Sequence, residues 1–394
     1  MFAFGSFGCS DDTTERVTEA DVVKNYAAMV SANYADSLQG AEALHEAVHE
    51  LTESPSSKSL EAAKTAWLAS RDPYGESEAY RFYQGPIDND DTSDDIPDGP
   101  EGLINSWPLD ESYIDYVLDG NGEPLNGGIV NLVDEFPDID AETIANANTE
   151  AGESETSIST GYHAIEFLLW GQDSTPPEDL RPGQRPFSDY VVGEDGTAEH
   201  QDRRATYLLT ASDLLVDNLS EVNAAWLPGK SNYRADFVAM DPKLALGKIL
   251  LGMGSLAGGE LAHERMQVAY DNRDQEDEHS CFSDNTLADL RNNAASVQNV
   301  LLGRYRSVQG ASIDDLVDAR DPALAKRLRD EIQDALDNIH ALEEAGLPLD
   351  FVIQQPDEDE GRQHLLAAIT ALEHFTDTLS EAAKAIDVEV TFDL

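Results

Sequence analysis

Apolar residues three and four apart recur over long stretches of this chain, and that period commits those stretches to helix. Between Val22 and Glu53 the series is Val23, Tyr26, Ala27, Val30, Tyr34 and Leu38, then Leu44, Val48 and Leu51. "ESPSSKS" interrupts it, and a second helix starts near Ser59 with "LEAAKTAWLASR". The same spacing predicts helices over 199–219, 242–273, 287–305, 322–345 and 360–385. Between these groups lie a short helix after Pro108, another within 120–157, and "STGYHAIEFLLWGQD", read as a helix ended by Gly171. Alternating β-branched runs are scarce, and "VEVTF" at 388–392 is the best strand candidate. The expectation is an all-α fold of two bundle-like halves with long irregular connections. "ALHEAVHEL" and "ALDNIHALEEAG", near opposite ends, hint at a duplicated unit. The division is a tether over 1–20, an N-terminal half over 21–220 and a C-terminal half over 221–394.

Charge narrows the function classes. The 394 residues carry 78 acidic and 25 basic side chains, a formal net charge of −53. Nucleic acid is excluded as a partner, because phosphate binding needs clustered Lys and Arg. Anionic lipid is repelled for the same reason. Acids spread along the whole chain suggest a salty medium that screens self-repulsion, a marine or halophilic setting. The reading finds no apolar run long enough to span a bilayer. With two cysteines, Cys9 and Cys281, there is no disulfide framework. The start, "MFAFGSFGCSDD", reads as the tail of a lipoprotein signal, which would leave Cys9 acylated and Cys281 unpaired. The alternative is an ordinary polar N-terminus with an incidental cysteine.

"STGYHAIEFLLWGQD" sets two ionisable residues in an apolar run. On a helix His163 and Glu166 lie one turn apart with Phe167 and Trp170, while Ile165, Leu168 and Leu169 face the other way. A helix apolar on both sides is buried, and a buried carboxylate must be paired, protonated or bound to a cation. One imidazole and one carboxylate can share a metal, yet two ligands are too few, so others would come from elsewhere. Spacing alone leaves a self-satisfied His–Glu hydrogen bond as the plainer reading. The same H-x-x-E spacing recurs at His340–Glu343 in a far more polar setting.

Other signals are weaker. "HEAVH", His45 to His49, matches the pattern in which two histidines hold zinc and a glutamate, here Glu46, activates water. Its third ligand would be a remote acid such as Glu76 or Glu78, and a solvated helix flank is the ordinary alternative. Arg71 and Arg81 bracket "RDPYGESEAYR", and Arg265 lies in "GGELAHERM". Where cations are this rare, an Arg among aromatics pairs with a buried carboxylate or an anionic ligand. Glu78–Arg81 and Glu260–Glu264–Arg265 are candidate ion pairs. Glycine-rich "GMGSLAGGELA" allows close approach of another helix and lacks the context of a phosphate loop. "DNRDQEDEHSCFSDNT" is acidic enough to attract a hard cation but lacks EF-hand spacing. No nucleophile elbow or Cys–His arrangement stands out.

Taken with Gly161, the motif resembles the G-x-H-x-x-E signature of the imelysin-like proteins, a group that includes the iron-regulated protein A type and is classed with the M75 peptidases. "AAKTAWLASRDPYGESEAYRF", "INSWPLDESYIDYV" and "EHSCFSDNT" look like further segments of that family in matching order. The resemblance runs from about residue 20 to the C-terminus. It implies a helical protein of the bacterial cell envelope, periplasmic, lipid-anchored to the outer membrane through Cys9, with a role in iron acquisition beside envelope iron-transport proteins. It carries over His163 and Glu166 as metal ligands, for iron or alternatively zinc, and Gly161, Arg71, Glu78 and Arg81 as ligand-binding neighbours. The expected function is binding of iron, or of an iron-bearing ligand, in a cleft at this motif. A metallopeptidase and a partner-binding lipoprotein with a purely structural His–Glu pair are the alternatives.

Overall fold

The computed structural model describes residues 17–90, 98–148 and 156–392. The lipoprotein reading of Cys9 falls outside them. The chain is 66% helical. Eight helices carry the architecture: α1 (Glu19–Glu53), α2 (Ser57–Gly75), α3 (Gly161–Trp170), α4 (Gln201–Trp226), α5 (Pro242–Asn272), α6 (Thr286–Leu302), α7 (Pro322–Ala345) and α8 (Glu360–Ala385).

Local chemistry sets several of these ends. Thr18 and Asp21 form a reciprocal capping box that starts α1 at Glu19, inside the segment read as tether. Ser56 and Ser59 do the same for α2, which continues through Pro73 to Gly75. The first five residues of "RDPYGESEAYR" are therefore helix. Gly346, in the left-handed region with φ 68°, ends α7 at the residue the spacing indicated. α4 runs to Trp226, through the boundary drawn at residue 220. α6 stops at Leu302 rather than Tyr305, because Gly303 turns the chain into a two-residue hairpin, Arg304–Tyr305 against Val308–Gln309.

Two expectations need correction. "VEVTF" forms no strand; the tail runs extended and the Phe392 ring sits over Gly254, where a Cβ would lie 2.4 Å from it. The other short pairing, Val117–Leu118 with Pro124–Leu125, lies in the long connection before α3. The second correction concerns α5, whose 31 residues hold an 18-residue window of mean hydropathy 1.3, long and apolar enough to cross a membrane. Of that window 61% is buried inside the protein, against α1, α6 and α8, so here α5 serves as a core helix. Its middle, Ser255–Gln267, is wound as a π-helix.

α1 packs along α2 and α4, and α3 is wedged between those two. α7 and α8 form a second pair, and α6 lies between that pair, α2 and the π-helical part of α5. α3 and α6 therefore face a common interior lined by α2 and α5. Every residue of α3 is buried, as an apolar-all-round helix requires.

Candidate functional site

Gly161 opens α3 with φ 80°, a backbone conformation side chains resist. A Cβ there would also sit 2.4 Å from the Ile104 carbonyl oxygen, so both conformation and space demand glycine. This close approach holds segment 103–105 against the start of α3, and Asn105 accepts a 2.5 Å hydrogen bond from Arg71 Nη1. Gly252 acts similarly for Glu78 and Arg81: its Cβ would meet the Ala79 carbonyl at 2.5 Å. The glycine-rich stretch thus admits a close neighbour, the single 3-10 turn Glu78–Tyr80 and Arg81 after it.

His163 Nδ1 lies 2.9 Å from Glu166 Oε2, the pairing the spacing allowed. Glu166 Oε1 accepts from the Ser283 N–H at 3.0 Å and its hydroxyl at 2.7 Å. Beside this pair stands a second one that sequence reasoning missed. His279 Nδ1 lies 2.9 Å from Asp289 Oδ2, and Asp289 also accepts from Ser280 Oγ, Asn285 and Arg71. The two imidazoles meet edge to face with centroids 4.6 Å apart. Both Nε2 atoms are buried without a hydrogen-bond partner.

Arg71 stacks on Tyr162, Trp67 and Tyr74 while reaching Asp289, as an Arg among aromatics should. Glu78 Oε2 accepts from Arg81 at 3.1 Å and Arg265 at 2.8 Å, and its Oε1 has no partner. Arg265 also reaches Asn293 and Glu260. Glu260 and Arg265 are five apart, and the i→i+5 winding of the π-helix brings them to one face. Glu264 stays exposed, outside this network. Arg81 bonds Glu101 at 3.0 Å.

The groups split electrostatically. Burial pushes Glu166 up to about 8, only partly offset by the Ser283 hydroxyl. Burial, with the neighbouring His279 and Arg71, holds His163 well below its ordinary value. Burial and Arg265 hold His279 down near 4. Burial alone would raise Asp289 and Glu78, but Arg71 takes Asp289 far below the carboxylate range, and Arg81 with Arg265 take Glu78 to about 2. Both imidazoles are therefore neutral at pH 7, which is the form that ligates metal. His279, whose Nδ1–H is donated to the ionised Asp289, presents its Nε2 lone pair, the usual orientation of a metal-ligating histidine, and His163 does so once Glu166 has lost its proton.

The site is buried rather than an open cleft, since His163 and His279 are 1% exposed and Glu166 is 0% exposed. Its nearest cover is Trp107, half-buried and edge-on to His279 at 5.6 Å, with its indole N–H donated to the Glu278 carbonyl. Among the described residues no group of three or more His, Cys, Asp or Glu is arranged to hold a metal ion. The two Nε2 atoms thus make a partial shell.

The HEAVH residues are not brought together. His45 turns to Ser212 at 3.0 Å and Asp213 at 3.4 Å, His49 to Glu53 at 3.7 Å, and Glu46 is exposed. Glu78, one of the acids considered as their third ligand, belongs to the arginine network instead. His340–Glu343 has the motif's spacing with the imidazole 63% exposed, so burial separates the two H-x-x-E sites where spacing does not.

Comparison with known proteins follows the same lines. The iron-regulated protein A of Synechococcus elongatus is 23% identical over 375 residues, covering 95% of this chain and 88% of its own. The crystal structure of a chain from Parabacteroides distasonis, assigned as an iron-regulated protein A precursor, superposes with a TM-score of 0.69 at 19% identity, over 95% of this chain and 97% of that one. Residues 30–379 match the imelysin family, Peptidase M75, and the chain belongs to that family.

Proposed function

We propose that this protein serves iron uptake in the bacterial cell envelope by binding a metal ion, iron or alternatively zinc, or an iron-bearing ligand, between His163 and His279. The observation that carries the reading is the pair of buried, neutral imidazoles whose Nε2 atoms lack partners while both Nδ1 atoms are fixed by carboxylates. Leaving such atoms unsatisfied costs about 1–3 kcal/mol each, a cost a bound ligand removes. Two nitrogens fit an ion that brings further ligands of its own and do not close a four-coordinate site. Glu78 Oε1 and Asn105 Nδ2, an acceptor and a donor also without partners in this network, suit the polar groups of such a ligand. A bare cation is disfavoured by Arg71 and Arg265 alongside, so a metal arriving in a chelate suits the surroundings better. The bound metal would supply the affinity for oxygen or nitrogen donors; the chain's residues orient it and exclude water.

Entry requires the Trp107 segment to move. Peptide cleavage is the weaker reading, because a polypeptide does not reach side chains this buried and the Cys281 thiol is pushed up by burial rather than activated. A lipid anchor at Cys9, a periplasmic face of the outer membrane and envelope iron-transport partners complete the proposal. Equilibrium titration with ferrous iron and zinc tests it: the wild type binds about one equivalent, and His163→Ala and His279→Ala each weaken binding at least tenfold. Unchanged binding in both variants, with both folded, sinks it.

A further inference from the structure

α7 and α8 leave a groove along their exposed side. The two helices run antiparallel, since Arg327 pairs with Glu381 near one end and His364 Nδ1 lies 2.8 Å from Asn338 Oδ1 towards the other. The groove has a volume of about 480 Å³ and is walled by Glu331, Asp334 and Asn338 on α7 and by Leu366, Ala367 and Ala371 on α8. Its α8 wall extends from Gln363 to His374, which at 1.5 Å per residue is about 16 Å, or three helical turns.

Two properties set this surface apart from the rest of the acidic exterior. Leu366, 42% exposed, is the only large apolar side chain that these two helices leave exposed. It stands beside the small Ala367 and Ala371, so an apolar group from a partner has both a contact and room. The walls also lack cations. Lys326, Arg327 and Arg329 sit in the first turns of α7 and are paired with Asp330, Glu381 and Asp314. From Asp330 to Ala345, and from Gln363 to Ala383, the sequence holds no Lys or Arg. Glu331 and Asp334 accordingly form no ion pair among the described residues, and Arg327, which bears on Glu331, is committed to Glu381.

We propose that the α7–α8 groove docks a basic amphipathic helix of a partner protein, one that sets an apolar residue on Leu366 and Lys or Arg against Glu331 and Asp334. A helix suits these walls because they are themselves helices with their backbone groups already bonded, so an occupant must satisfy its own amides. Alanine on the α8 wall lets a helical ridge approach closely. Charge selects the partner. A second copy of this chain, or an anionic lipid surface, would set negative charge against an uncompensated acidic wall. The groove shares no residue with the histidine site, so the two are tested apart.

Fluorescence anisotropy with the full chain tests the groove, using a labelled peptide of about 16 residues with Leu at helical spacing and Lys on the flanks. Sodium chloride at about 0.5 M screens attraction to distant acids and leaves pairs at contact range. The wild type should bind one equivalent saturably, and a scrambled peptide of identical composition should bind at least tenfold more weakly. Leu366→Lys/Asp334→Lys changes two exposed positions, and should keep the wild-type melting temperature while losing at least tenfold in affinity. Leu244→Lys/Asp217→Lys makes the same change of charge on exposed residues of α5 and α4 and should bind as the wild type does. Absence of saturable binding by the wild type overturns the proposal, as does undiminished binding in Leu366→Lys/Asp334→Lys. Equal binding of the scrambled peptide, or equal weakening in both double variants, also overturns it, since either would mark general attraction to an acidic surface.

Discussion

Replacing Glu166 with Gln should separate what this residue does for stability from what it does for binding. Folding raises the Glu166 carboxyl from an ordinary 4.5 to about 8 by burial. Between those values the native state keeps a proton that the unfolded chain has released, so this group's contribution is complete below pH 4.5 and is lost as pH rises towards 8. At about 1.4 kcal/mol per pH unit the loss is on the order of 5 kcal/mol across that window. No discount for solvent screening applies, because the side chain is 0% exposed. Glutamine presents what the protonated acid presents: its oxygen still accepts from Ser283 and its amide donates to His163 Nδ1. Denaturant unfolding of both proteins from pH 5 to 8.5, at fixed high salt, should show Glu166→Gln gaining on wild type by several kcal/mol as pH rises. Metal binding should go the other way. With an amide donating to Nδ1, the His163 proton moves to Nε2 and the lone pair is gone, so affinity falls at least tenfold. In the wild type the Glu166 proton must leave before Nδ1–H can be donated, and affinity should rise about tenfold per unit up to pH 8. A stability difference that stays flat from pH 5 to 8.5 refutes the assignment of Glu166 as a proton-holding acid.

Three further outcomes follow from named contacts. Gly161→Ala combines a φ of 80° with a backbone oxygen 2.4 Å from the new Cβ, and should cost about 3 kcal/mol or more, read as a melting temperature several degrees lower; an unchanged melting temperature contradicts it. Arg71→Met leaves buried Asp289 with no cation beside it, only the neutral donors His279, Ser280 and Asn285, and should cost about 3–5 kcal/mol. Asp289 is held below its ordinary range chiefly by Arg71, so the stability it contributes is present above pH 4 and lost in acid; adding Asp289→Asn to the arginine variant should recover most of the neutral-pH loss. With a net charge of −53, the melting point should climb between 0.05 and 2 M sodium chloride, at concentrations far beyond those that screen a neutral protein; a flat response removes the halophilic reading.

The helices were legible because their signals are local. Apolar spacing located α7 and α8 at both ends, and the caps of α1 and α2 lie in the serine and threonine residues that precede them. The misplaced ends have equally local causes that the period does not encode, such as the Gly303 turn and the continuation of α2 through Pro73. The site was only half legible. His163 and Glu166 announced themselves as polar residues in an apolar helix, whereas His279 lay in an acidic stretch where a histidine is unremarked. Its partner Asp289 sits on α6, and only the packing of the 279–283 segment against α3 brings the two imidazoles to 4.6 Å. The one sequence signal was the "EHSCFSDNT" segment, whose Ser283 closes on Glu166.

Buried charge by itself does not mark function here, and a second network shows why. Asp115 accepts from Arg204 at 2.6 and 2.9 Å, from Arg185 at 2.9 Å and from Asn131 at 3.1 Å, while Arg185 continues to Asp189. Every oxygen of that carboxylate is used, and the unpartnered atoms of the network are Arg185 Nε and Asn131 Oδ1, at its margin. Such a cluster pins loops to α4 and needs nothing more. Around His163 and His279 the carboxylates and guanidiniums are equally well paired, yet two imidazole nitrogens, Glu78 Oε1 and Asn105 Nδ2 remain unused. Pairing that completes itself is structure; the pairing that holds the two imidazoles leaves their far nitrogens without partners, and that difference is what the proposed ligand would use.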